Sequence, residues 1–538
     1  MLPLQLIMKF KSTKIALSQT EQFSNLILNY IKGEDLLRKF YTYLPNIDTF
    51  KQAIDDKNKE EINRNLLVAV LKKQYLQNNI AAPVNIDLLI NKNTFTVCTG
   101  HQLCLFTGPL YFIYKIITTI NLAESLKKKY PEYNFVPIYW MASEDHDFEE
   151  IKSINLFGKN VSWENFDAKG AVGKLNTHSL SESIDELTVI LGNSEHSKNL
   201  IQLFTDAYLK QNNLANATRF LVNHLFKQYG LVILDGDDAQ LKQSFSSILE
   251  DDILNNTNFK LVEQTITELN KIGVKPQVVP RQINCFYLNG NLRERIIFEN
   301  SKYIVQNTGL TFTKEELLIE LKRYPERFSP NVTTRPLYQQ IILPNLAYIG
   351  GPGEIAYWLE YKAMFDYHKI NFPVLIPRNF ALLTDEKINL QIKKLGFEVS
   401  DIFKNTEDLI KEFVAKNADT DLTLKGQEEK ITAIFNEIAT KAIAVDVTLK
   451  GSVEAELQKT LNALKNMETK ILRSEKQKQE TNINQIKKLK DKFLPEGVLQ
   501  ERYENFSPYY LKAGQSFIEN LKEQFNPFDF EMLIIELN

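Results

Sequence analysis

Four short runs of almost continuous apolar residues, each ending in charged or turn residues, place the strongest constraint on the fold. They are TFTVCTG from Thr94, FVPIYWMAS from Phe135, LVILDGDD from Leu231 and PVLIPRNF from Pro373. Such runs are typical of parallel strands that are buried on both faces of a sheet. The first two flank a helical stretch from Pro109 to Lys129, with proline at its first position, which predicts a right-handed βαβ unit. The sequence therefore predicts an α/β protein with a Rossmann-like parallel-sheet core.

Length, charge and cysteine content exclude several classes of protein. The chain has 538 residues, enough for several folding units, with 43% hydrophobic and 24% charged residues, as in globular proteins. Its 64 Lys and Arg against 67 Asp and Glu give a net charge of -3, which disfavours nucleic acid as a partner and a genuine tRNA synthetase as the function. Three cysteines, Cys98, Cys104 and Cys285, provide neither a disulfide framework nor repeated CxxC motifs for a structural zinc. We therefore expect no structural metal and a cytoplasmic location.

No segment predicts export or membrane attachment. The opening MLPLQLIMKF has too short an apolar run for a signal peptide, and no stretch approaches the roughly 20 apolar residues of a membrane span. Met8 offers an alternative start to Met1. We expect no membrane partner.

The remaining pattern divides the chain into three regions. Residues 1–385 are expected to form the core, with a helical layer at the N-terminus and inserted connective subdomains at roughly 155–225 and 255–330. The second insertion contains a predicted hairpin that turns at Asn289-Gly290 and a helix after Thr313 with Glu316 as its capping-box partner. Residues 386–505 are expected to form an α-helical coiled-coil arm, and residues 506–538 a segment that packs back on the core.

Heptad spacing supports the helical arm. Leu457, Leu464 and Ile471 lie seven residues apart and follow a run of helical apolar spacing from Ile431 to Val445. An arm of this kind need have no chemistry of its own. The function that we expect of the arm is dimerisation, in a homodimer that depends on residues 430–495.

Candidate site residues lie where the predicted strands end, because ligands of open parallel sheets bind beyond the carboxyl ends of the strands. The polar residues at the ends of the four predicted strands are His101 and Gln102; Ser143, Glu144, Asp145, His146 and Asp147; Asp235, Asp237 and Asp238; and Arg378 and Asn379. A glycine-rich turn, Gly350 to Gly353, precedes a further predicted helix, where free backbone N–H groups could accept a phosphate or carboxylate.

These motifs leave alternatives open. The glycine-rich turn is equally typical of a tight turn before a helix, and the three aspartates after Leu234 are equally typical of a solvated turn. The segment Ser143 to Asp147 favours function, since it brings several titratable groups into one crevice. Its histidine and carboxylates suit general acid–base catalysis, binding of a substrate amine or, least of all, a metal site. Cys98 and Cys104 are expected to be small buried residues without a catalytic role.

Five spaced motifs also carry a family resemblance. They are CTGHQLCLFTGPLYFIYK, VPIYWMASEDHDFEEI, LVILDGDDAQLK, SPNVTTRPLYQQIILPNLAYIGGPGEIAYW and FPVLIPRNF. In this order and over essentially the whole chain, they resemble the bacillithiol biosynthesis cysteine-adding enzyme family. That resemblance implies a core similar to class I aminoacyl-tRNA synthetases and nucleotidyltransferases, with connective insertions and a C-terminal coiled coil that supports a homodimer.

The resemblance implies the last step of bacillithiol synthesis, in which the carboxyl of L-cysteine is joined to the amine of glucosaminyl-malate. Amide formation needs an activated carboxyl, so ATP is expected, with Mg²⁺ as an accompanying ion, although no Walker motif locates the nucleotide. The alternatives are a synthetase-like ATP-dependent ligase that acts on another amine and a catalytically silent coiled-coil scaffold.

The expected site residues fall into three groups. Those expected to act in catalysis are Asp145, His146, His101 and Gln102, with Asp145 or His146 as the base; family members commonly have Gln where this chain has His101. Those expected to bind substrate are Ser143, Glu144 and Asp147. The resemblance adds residues that match family motifs, namely Asn331, Thr333, Arg335, Glu354, Trp358 and Arg378, and implies that both arginines act as clamps for the malate carboxylates. Those expected to bind nucleotide are Thr99, Gly100, Thr107, Gly108, Gly351 and Gly353.

Overall fold

The computed structural model describes residues 10–165, 168–418 and 421–537. Met1 and Met8, the two alternative starts, lie outside the described residues. The chain forms two compact units: the first runs to Leu383 and resumes at Leu499, and the second comprises Thr384–Val498. No helix of the described ranges combines the length and apolar character needed to cross a membrane.

The first unit opens with a strand followed by helices. These elements are β1 (Lys11–Ala16), α1 (Asn25–Lys32), α2 (Phe50–Lys57), α3 (Arg64–Gln77) and α4 (Asn85–Leu88). The helices occupy the region where the helical layer is expected. β1 is an addition that the sequence pattern did not indicate.

The central βαβ unit and the first insertion come next. Their elements are β2 (Thr94–His101), α5 (Tyr111–Lys129), β3 (Asn134–Met141), α6 (Phe148–Ile151), β4 (Ser153–Leu156), β5 (Lys159–Ser162), α7 (Ser181–Leu191), α8 (Glu195–Tyr208), α9 (Leu214–Phe226) and β6 (Val232–Asp235). The prediction that Pro109 begins α5 is wrong. Pro109 instead forms an isolated bridge with Asn505, so the helix starts two residues later.

The second insertion is built on an antiparallel sheet. Its elements are α10 (Ala239–Gln243), α11 (Ser246–Asn255), α12 (Thr257–Lys271), β7 (Cys285–Asn289), β8 (Leu292–Glu299), β9 (Lys302–Val305), β10 (Thr311–Phe312), α13 (Lys314–Arg323), β11 (Phe328–Pro330) and α14 (Arg335–Ile342). The strand order is β10-β9-β8-β7-β11. The capping box of Thr313 and Glu316 is confirmed. The hairpin turns one residue later than predicted, because Asn289 pairs with Leu292 and leaves Gly290 in the turn at φ +59°.

The core sheet is completed by elements that follow the second insertion. They are β12 (Asn345–Gly350), α15 (Pro352–Leu359), α16 (Lys362–Tyr367), β13 (Val374–Pro377) and β14 (Phe380–Asp385). All four predicted parallel strands are present, and β12 is a fifth that was missed. The order β13-β12-β2-β3-β6 reads as strands 5-4-1-2-3 along the chain. The strand order therefore reverses between β2 and β12, which is the point where ligands of this fold class bind.

Parallel register brings the strand ends together. His101 pairs with Met141, Met141 with Asp235, and Gly350 with Pro377. The residues that follow these positions therefore meet at one edge of the sheet.

The C-terminal segment of the first unit packs on the core, beginning at Leu499 where 506 was expected. Its elements are α22 (Gln500–Tyr503), α23 (Ser507–Ala513), α24 (Ser516–Gln524) and β15 (Glu531–Leu537). β15 pairs antiparallel with β1 and also lies beside β14. The predicted α/β class, with a parallel-sheet core and inserted subdomains, is confirmed.

The second unit is helical. It contains α17 (Glu386–Lys394), α18 (Thr406–Lys416), α19 (Lys425–Val445), α20 (Leu449–Lys478) and α21 (Glu480–Phe493). α19 packs along α20, and α18 packs against α21. The three heptad leucine and isoleucine positions all lie on α20. Neither α19 nor α20 has a buried side chain, so their apolar residues are accessible to solvent.

Candidate active site

A cavity of about 820 Å³ opens at the carboxyl edge of the parallel sheet, beside the reversal between β2 and β12. Most of the residues expected at the site line it. These are Gly100, His101, Gln102, Ser143, Glu144, Asp145, His146, Asn331, Arg335, Gly351, Gly353, Glu354 and Arg378.

The cavity wall does not include the other expected residues, Thr99, Thr107, Gly108, Asp147, Thr333 and Trp358. Thr99 donates its hydroxyl to the carbonyl oxygen of Ile349 at 2.8 Å, inside the sheet. Trp358 is fully buried and stacks on Tyr348, with ring centroids 4.6 Å apart. Asp147 caps α6 by accepting from the N–H of Glu150. Each of these contacts supports the fold around the site.

Thr107, Gly108 and Thr333 are likewise held away from the cavity. Thr107 and Thr333 are buried, and the N–H of Thr333 donates to Asn331 Oδ1 at 2.9 Å. The carbonyl oxygen of Gly108 accepts from Asn505 Nδ2 at 2.6 Å. The loop from Thr107 to Gly108 is therefore fixed by the C-terminal segment.

The cavity is cationic although the whole chain carries a net charge of -3. Its wall includes Lys115, Arg281, Arg293, Arg295, Arg335, Arg378 and Arg502 against the carboxylates of Glu144, Asp145 and Glu354. An excess of guanidinium groups in a concave site favours ligands with carboxylate or phosphate groups.

Lys115, which no sequence motif indicated, makes a buried ion pair with Glu354. Its Nζ donates to Glu354 Oε2 at 2.7 Å and to the carbonyl oxygen of Gly100. Burial raises the pKa of Glu354, but the charge and hydrogen bond of Lys115 outweigh it and leave the pKa lowered. A single lysine in the apolar run YFIYKIITT was the available sequence signal.

Arg335 offers an unused donor to the cavity. Its Nη1 donates to Gln339 Oε1 at 3.0 Å, whereas its Nη2 is buried and has no hydrogen-bond partner within the described ranges. The guanidinium carbon lies 5.8 Å from the ring centroid of Trp140 and 5.6 Å from that of Tyr348. A buried donor without a partner is costly, and an anionic ligand would satisfy it.

Arg378 is used mainly to hold the fold. Its Nη2 donates to Glu501 Oε1 at 2.5 Å and its Nη1 to the carbonyl oxygen of Asn379 at 3.0 Å. The side chains of Arg378 and Glu501 are 1% and 0% exposed. Of the guanidinium donors, Nε has no partner among the described residues and remains for a ligand.

Asp145 and His146 form a connected group with Gln102 and Arg293. Asp145 Oδ2 accepts from Gln102 Nε2 at 2.9 Å, and Asp145 Oδ1 accepts from the N–H of His146 at 2.7 Å. Burial raises the pKa of Asp145, but the hydrogen bonds from His146 and Gln102 and the charge of Arg293 lower it well below its ordinary value. Asp145 is therefore ionised at neutral pH.

The ring of His146 is oriented by Arg293. Nδ1 of His146 lies 2.6 Å from Arg293 Nη1 and 3.5 Å from Asp145 Oδ1. A guanidinium can only donate, so in the shorter contact Nδ1 is the acceptor, which corresponds to the tautomer with its proton on Nε2. Arg293 stacks on Phe286, with its guanidinium carbon 3.8 Å from the ring centroid.

His101 is a neutral member of the wall. Burial, assisted by the charge of Lys115, lowers the pKa of His101 to about 3. Its ring stacks on Phe112 with centroids 5.1 Å apart. His101 can therefore accept or donate a hydrogen bond but does not carry a charge at neutral pH.

Ser143 and Glu144 are tied to charged groups behind the wall. Ser143 donates to Asp235, and Lys242 bridges Glu144 and Asp237. The three aspartates at the end of β6 lie outside the cavity lining, and Asp238 caps α10.

Glu360, which no sequence motif indicated, anchors the loop at Gln277 and Val278. It lies at the end of α15, is 1% exposed, and accepts from the N–H of Gln277 at 2.6 Å. Gln277 and Val278 in turn line the cavity. Burial raises the pKa of Glu360 from 4.5 to about 7.

Glu360→Gln is expected to flatten the pH dependence of stability. The folded protein prefers the neutral carboxyl of Glu360. This preference stabilises the folded state fully below about pH 4.5, and the stabilisation is lost as the pH rises through about 7. The wild type should lose up to about 3 kcal/mol in unfolding free energy over this window, whereas the amide should not. Urea unfolding at pH 5 and pH 8 measures the difference, with Glu132→Gln at an exposed position as the control. Parallel pH profiles for Glu360→Gln and wild type would contradict this assignment.

Within the parts of the chain that the structure describes, no group of three or more His, Cys, Asp or Glu side chains is arranged to hold a metal ion. All three cysteines are free and buried.

Comparison with known proteins gives matches over nearly the whole chain. Residues 8–379 match the family described as "Bacillithiol biosynthesis BshC, N-terminal Rossmann-like domain", and residues 381–537 match its "C-terminal coiled-coil domain". A protein of Flavobacterium psychrophilum is 45% identical over 97% of this chain and 99% of its own length. A protein of Flavobacterium johnsoniae is 44% identical over 96% and 98%. Both relatives are named "Putative cysteine ligase BshC".

Proposed function

The chain belongs to the bacillithiol biosynthesis BshC family and is a ligase, and from this premise we propose that it catalyses the last step of bacillithiol synthesis. In this reaction the amine of glucosaminyl-malate forms an amide bond with the carboxyl of L-cysteine. The observation that carries the proposal is the cationic cavity at the strand reversal, because the acceptor bears two malate carboxylates. The free cysteines fit a cytoplasmic setting.

Arg335 is the residue best suited to bind malate. Its Nη2 is a buried donor without a partner, and a carboxylate accepts guanidinium hydrogen bonds with good geometry. Arg378, the other expected clamp, contributes Nε alone, since its remaining donors hold Glu501 and a backbone carbonyl.

The acceptor amine fits beside Asp145. An ionised carboxylate on the cavity wall binds the ammonium form, and its lowered pKa makes it a weak base. Before the nitrogen attacks the activated carboxyl carbon of cysteine, it must release a proton. The C–N bond then forms as the C–O bond to the activating group breaks, and that group leaves with the carboxyl oxygen. His146 can take this proton at Nδ1 once that atom is released from Arg293. This arrangement supports amine binding by Asp145 and proton transfer by His146.

The first turn of α15 fits an anionic group of a substrate, such as the phosphates of ATP. The N–H groups of Gly353 and Glu354 lie in the first turn of a helix and have no acceptors within it, and the positive end of the helix dipole favours an anion there. When bound, ATP supplies the free energy for amide formation, and Mg²⁺ would accompany its phosphates. The charge of Glu354 is already balanced by Lys115, so the carboxylate does not repel them.

Mass spectrometry of the purified protein with cysteine, glucosaminyl-malate, ATP and Mg²⁺ tests the proposal. We expect the cysteinyl amide, and the accompanying nucleotide, AMP or ADP, identifies which ATP bond is cleaved. Reaction of other amines in preference to glucosaminyl-malate would favour a ligase with a different acceptor. Failure to restore bacillithiol when the protein is added to extract that lacks it would favour the scaffold.

A homodimer through the arm is the second part of the proposal. Ile434 and Ile438 lie one helical turn apart on α19 and are 54% and 44% exposed. Met467 and Ile471 have the same spacing on α20 and are also exposed. Exposed apolar side chains at such spacing are typical of a helix that packs against a partner.

Ile434→Lys with Ile438→Lys is expected to convert the dimer to a monomer, because two charges would be buried at the interface. Light scattering after size exclusion measures the mass, and circular dichroism checks that the helices remain. Lys441→Gln on the same helix is the matched control. A double variant with the mass of a dimer would contradict this interface.

A further inference from the structure

The C-terminal segment is fixed against the cavity by buried hydrogen bonds. Gln500 Oε1 accepts from the N–H of Leu383 at 2.8 Å, and Gln500 Nε2 donates to the carbonyl oxygen of the same residue at 3.1 Å. Glu501 Oε2 accepts from the N–H of Ala381 at 3.1 Å while Oε1 pairs with Arg378. Gln500 and Glu501 are 0% exposed. These buried contacts join α22 to residues 378–383.

Asn505 secures the other end of this short helix. Its Nδ2 donates to the carbonyl oxygens of Phe106 and Gly108, at 2.9 and 2.6 Å. The N–H of Leu110 donates to the carbonyl oxygen of Glu504 at 2.8 Å. Residues 500–505 are thus held at both ends by the elements that surround the cavity.

Arg502 lies between these anchors and lines the cavity. Its guanidinium carbon is 5.7 Å from the ring centroid of Tyr111, and that of Arg378 is 5.2 Å from the same centroid. No carboxylate of the described residues forms an ion pair with Arg502. Two guanidinium groups beside one ring repel each other, and an anion bound near both would offset that repulsion.

The first turn of α15 adjoins the same place. The N–H of Arg378 donates to the carbonyl oxygen of Gly350 at 2.9 Å, immediately before Gly351, the N-cap of this eight-residue helix. Arg378 is 2% exposed, and its Nε is a buried donor without a partner among the described residues. Gly351, Gly353, Arg378 and Arg502 all line the cavity.

We propose that Arg502, Arg378 Nε and the first turn of α15 form an anion subsite that binds a carboxylate or phosphate group of a substrate. The proposal deepens the proposed function and rests on it for the identity of the ligand. Two sources supply this chemistry: a malate carboxylate of the acceptor and the phosphates of the nucleotide. Arg502 is the specific contribution of the C-terminal segment to the site.

Isothermal titration calorimetry of the full-length protein with malate and, separately, with inorganic triphosphate tests the subsite without turnover. Arg502→Ala is expected to weaken the binding of one probe by about tenfold to 100-fold, the range typical of lost hydrogen bonds to a charged group. Weaker malate binding assigns the subsite to the acceptor, and weaker triphosphate binding assigns it to the nucleotide. Arg502→Lys should recover part of the affinity, since it keeps the charge but not the planar donor pair.

Arg473→Ala, an exposed arginine on α20, is the matched control and should bind both probes as the wild type does. Kd values for Arg502→Ala within twofold of wild type for both probes, or no binding of either probe to the wild type, would overturn the subsite. A wild type that binds a probe through Arg502 but makes no amide would instead retain the subsite and reject the ligase proposal. Because Arg502 is exposed and pairs with no carboxylate, its removal should leave thermal unfolding nearly unchanged.

Discussion

Arg335→Ala is expected to lower kcat/KM for glucosaminyl-malate by about 100-fold or more. A guanidinium–carboxylate contact with two hydrogen bonds contributes about 3 kcal/mol, and about 1.4 kcal/mol corresponds to a factor of ten. Arg335 suits this contact, because its Nη2 is buried without a partner among the described residues and carries two N–H groups, and the rings of Trp140 and Tyr348 lie beside the guanidinium. Steady-state kinetics with saturating cysteine and ATP measures the loss.

The same variant should lose far less activity toward glucosamine that lacks malate. Equal losses for both acceptors would show that Arg335 supports the site in general rather than the malate group. Arg323→Ala, at an exposed position on α13 that does not line the cavity, is the control for removal of a surface arginine. Thermal unfolding of Arg335→Ala should stay close to wild type, since Arg335 makes no ion pair that would leave a carboxylate unpaired.

Much of the core could be predicted because its signals are local. Each predicted parallel strand is a short apolar run that ends in polar residues, and parallel register then aligns His101, Met141 and Asp235 at one edge. β12 was missed because NLAYIG runs directly into the glycine turn, so the turn dominated the pattern. Without β12, the reversal of strand order beside β2 could not be located from the sequence.

The cations of the site were harder to predict, since their roles depend on tertiary contacts. Lys115 appears in sequence as one charge in an apolar helix, and its function as the partner of Glu354 depends on the approach of α15 to α5. Arg502 fell within the region assigned to the arm. Its place in the cavity depends on the buried contacts of Gln500, Glu501 and Asn505 with distant segments. No local pattern encodes such contacts.

The structure gives Arg378 a stabilising role in addition to the anion binding expected from the sequence. The sequence presents it as a polar residue after a strand, which favours an anion clamp. The structure buries it against Glu501, so a simple alanine variant would mix loss of binding with loss of stability. A useful test of Arg378 must separate these two effects.

Arg378→Met is expected to lower the unfolding free energy by about 3–5 kcal/mol, because it leaves the buried carboxylate of Glu501 without its cation. Adding Glu501→Gln should restore most of this loss. The amide removes the unpaired charge, and its oxygen can still accept from the N–H of Ala381. Urea unfolding of the wild type, the two single variants and the double variant forms a complete cycle.

Activity of the stable double variant then isolates the role of Nε. If Arg378 Nε contacts a substrate anion, the double variant should fold like the wild type yet lose about tenfold in kcat/KM, the effect of one hydrogen bond to a charged group. Full activity would show that Nε makes no contact with a substrate anion and that Arg378 serves only to neutralise the buried charge of Glu501. A double variant as unstable as Arg378→Met would mean that packing of the arginine, rather than charge pairing, stabilises this wall of the cavity.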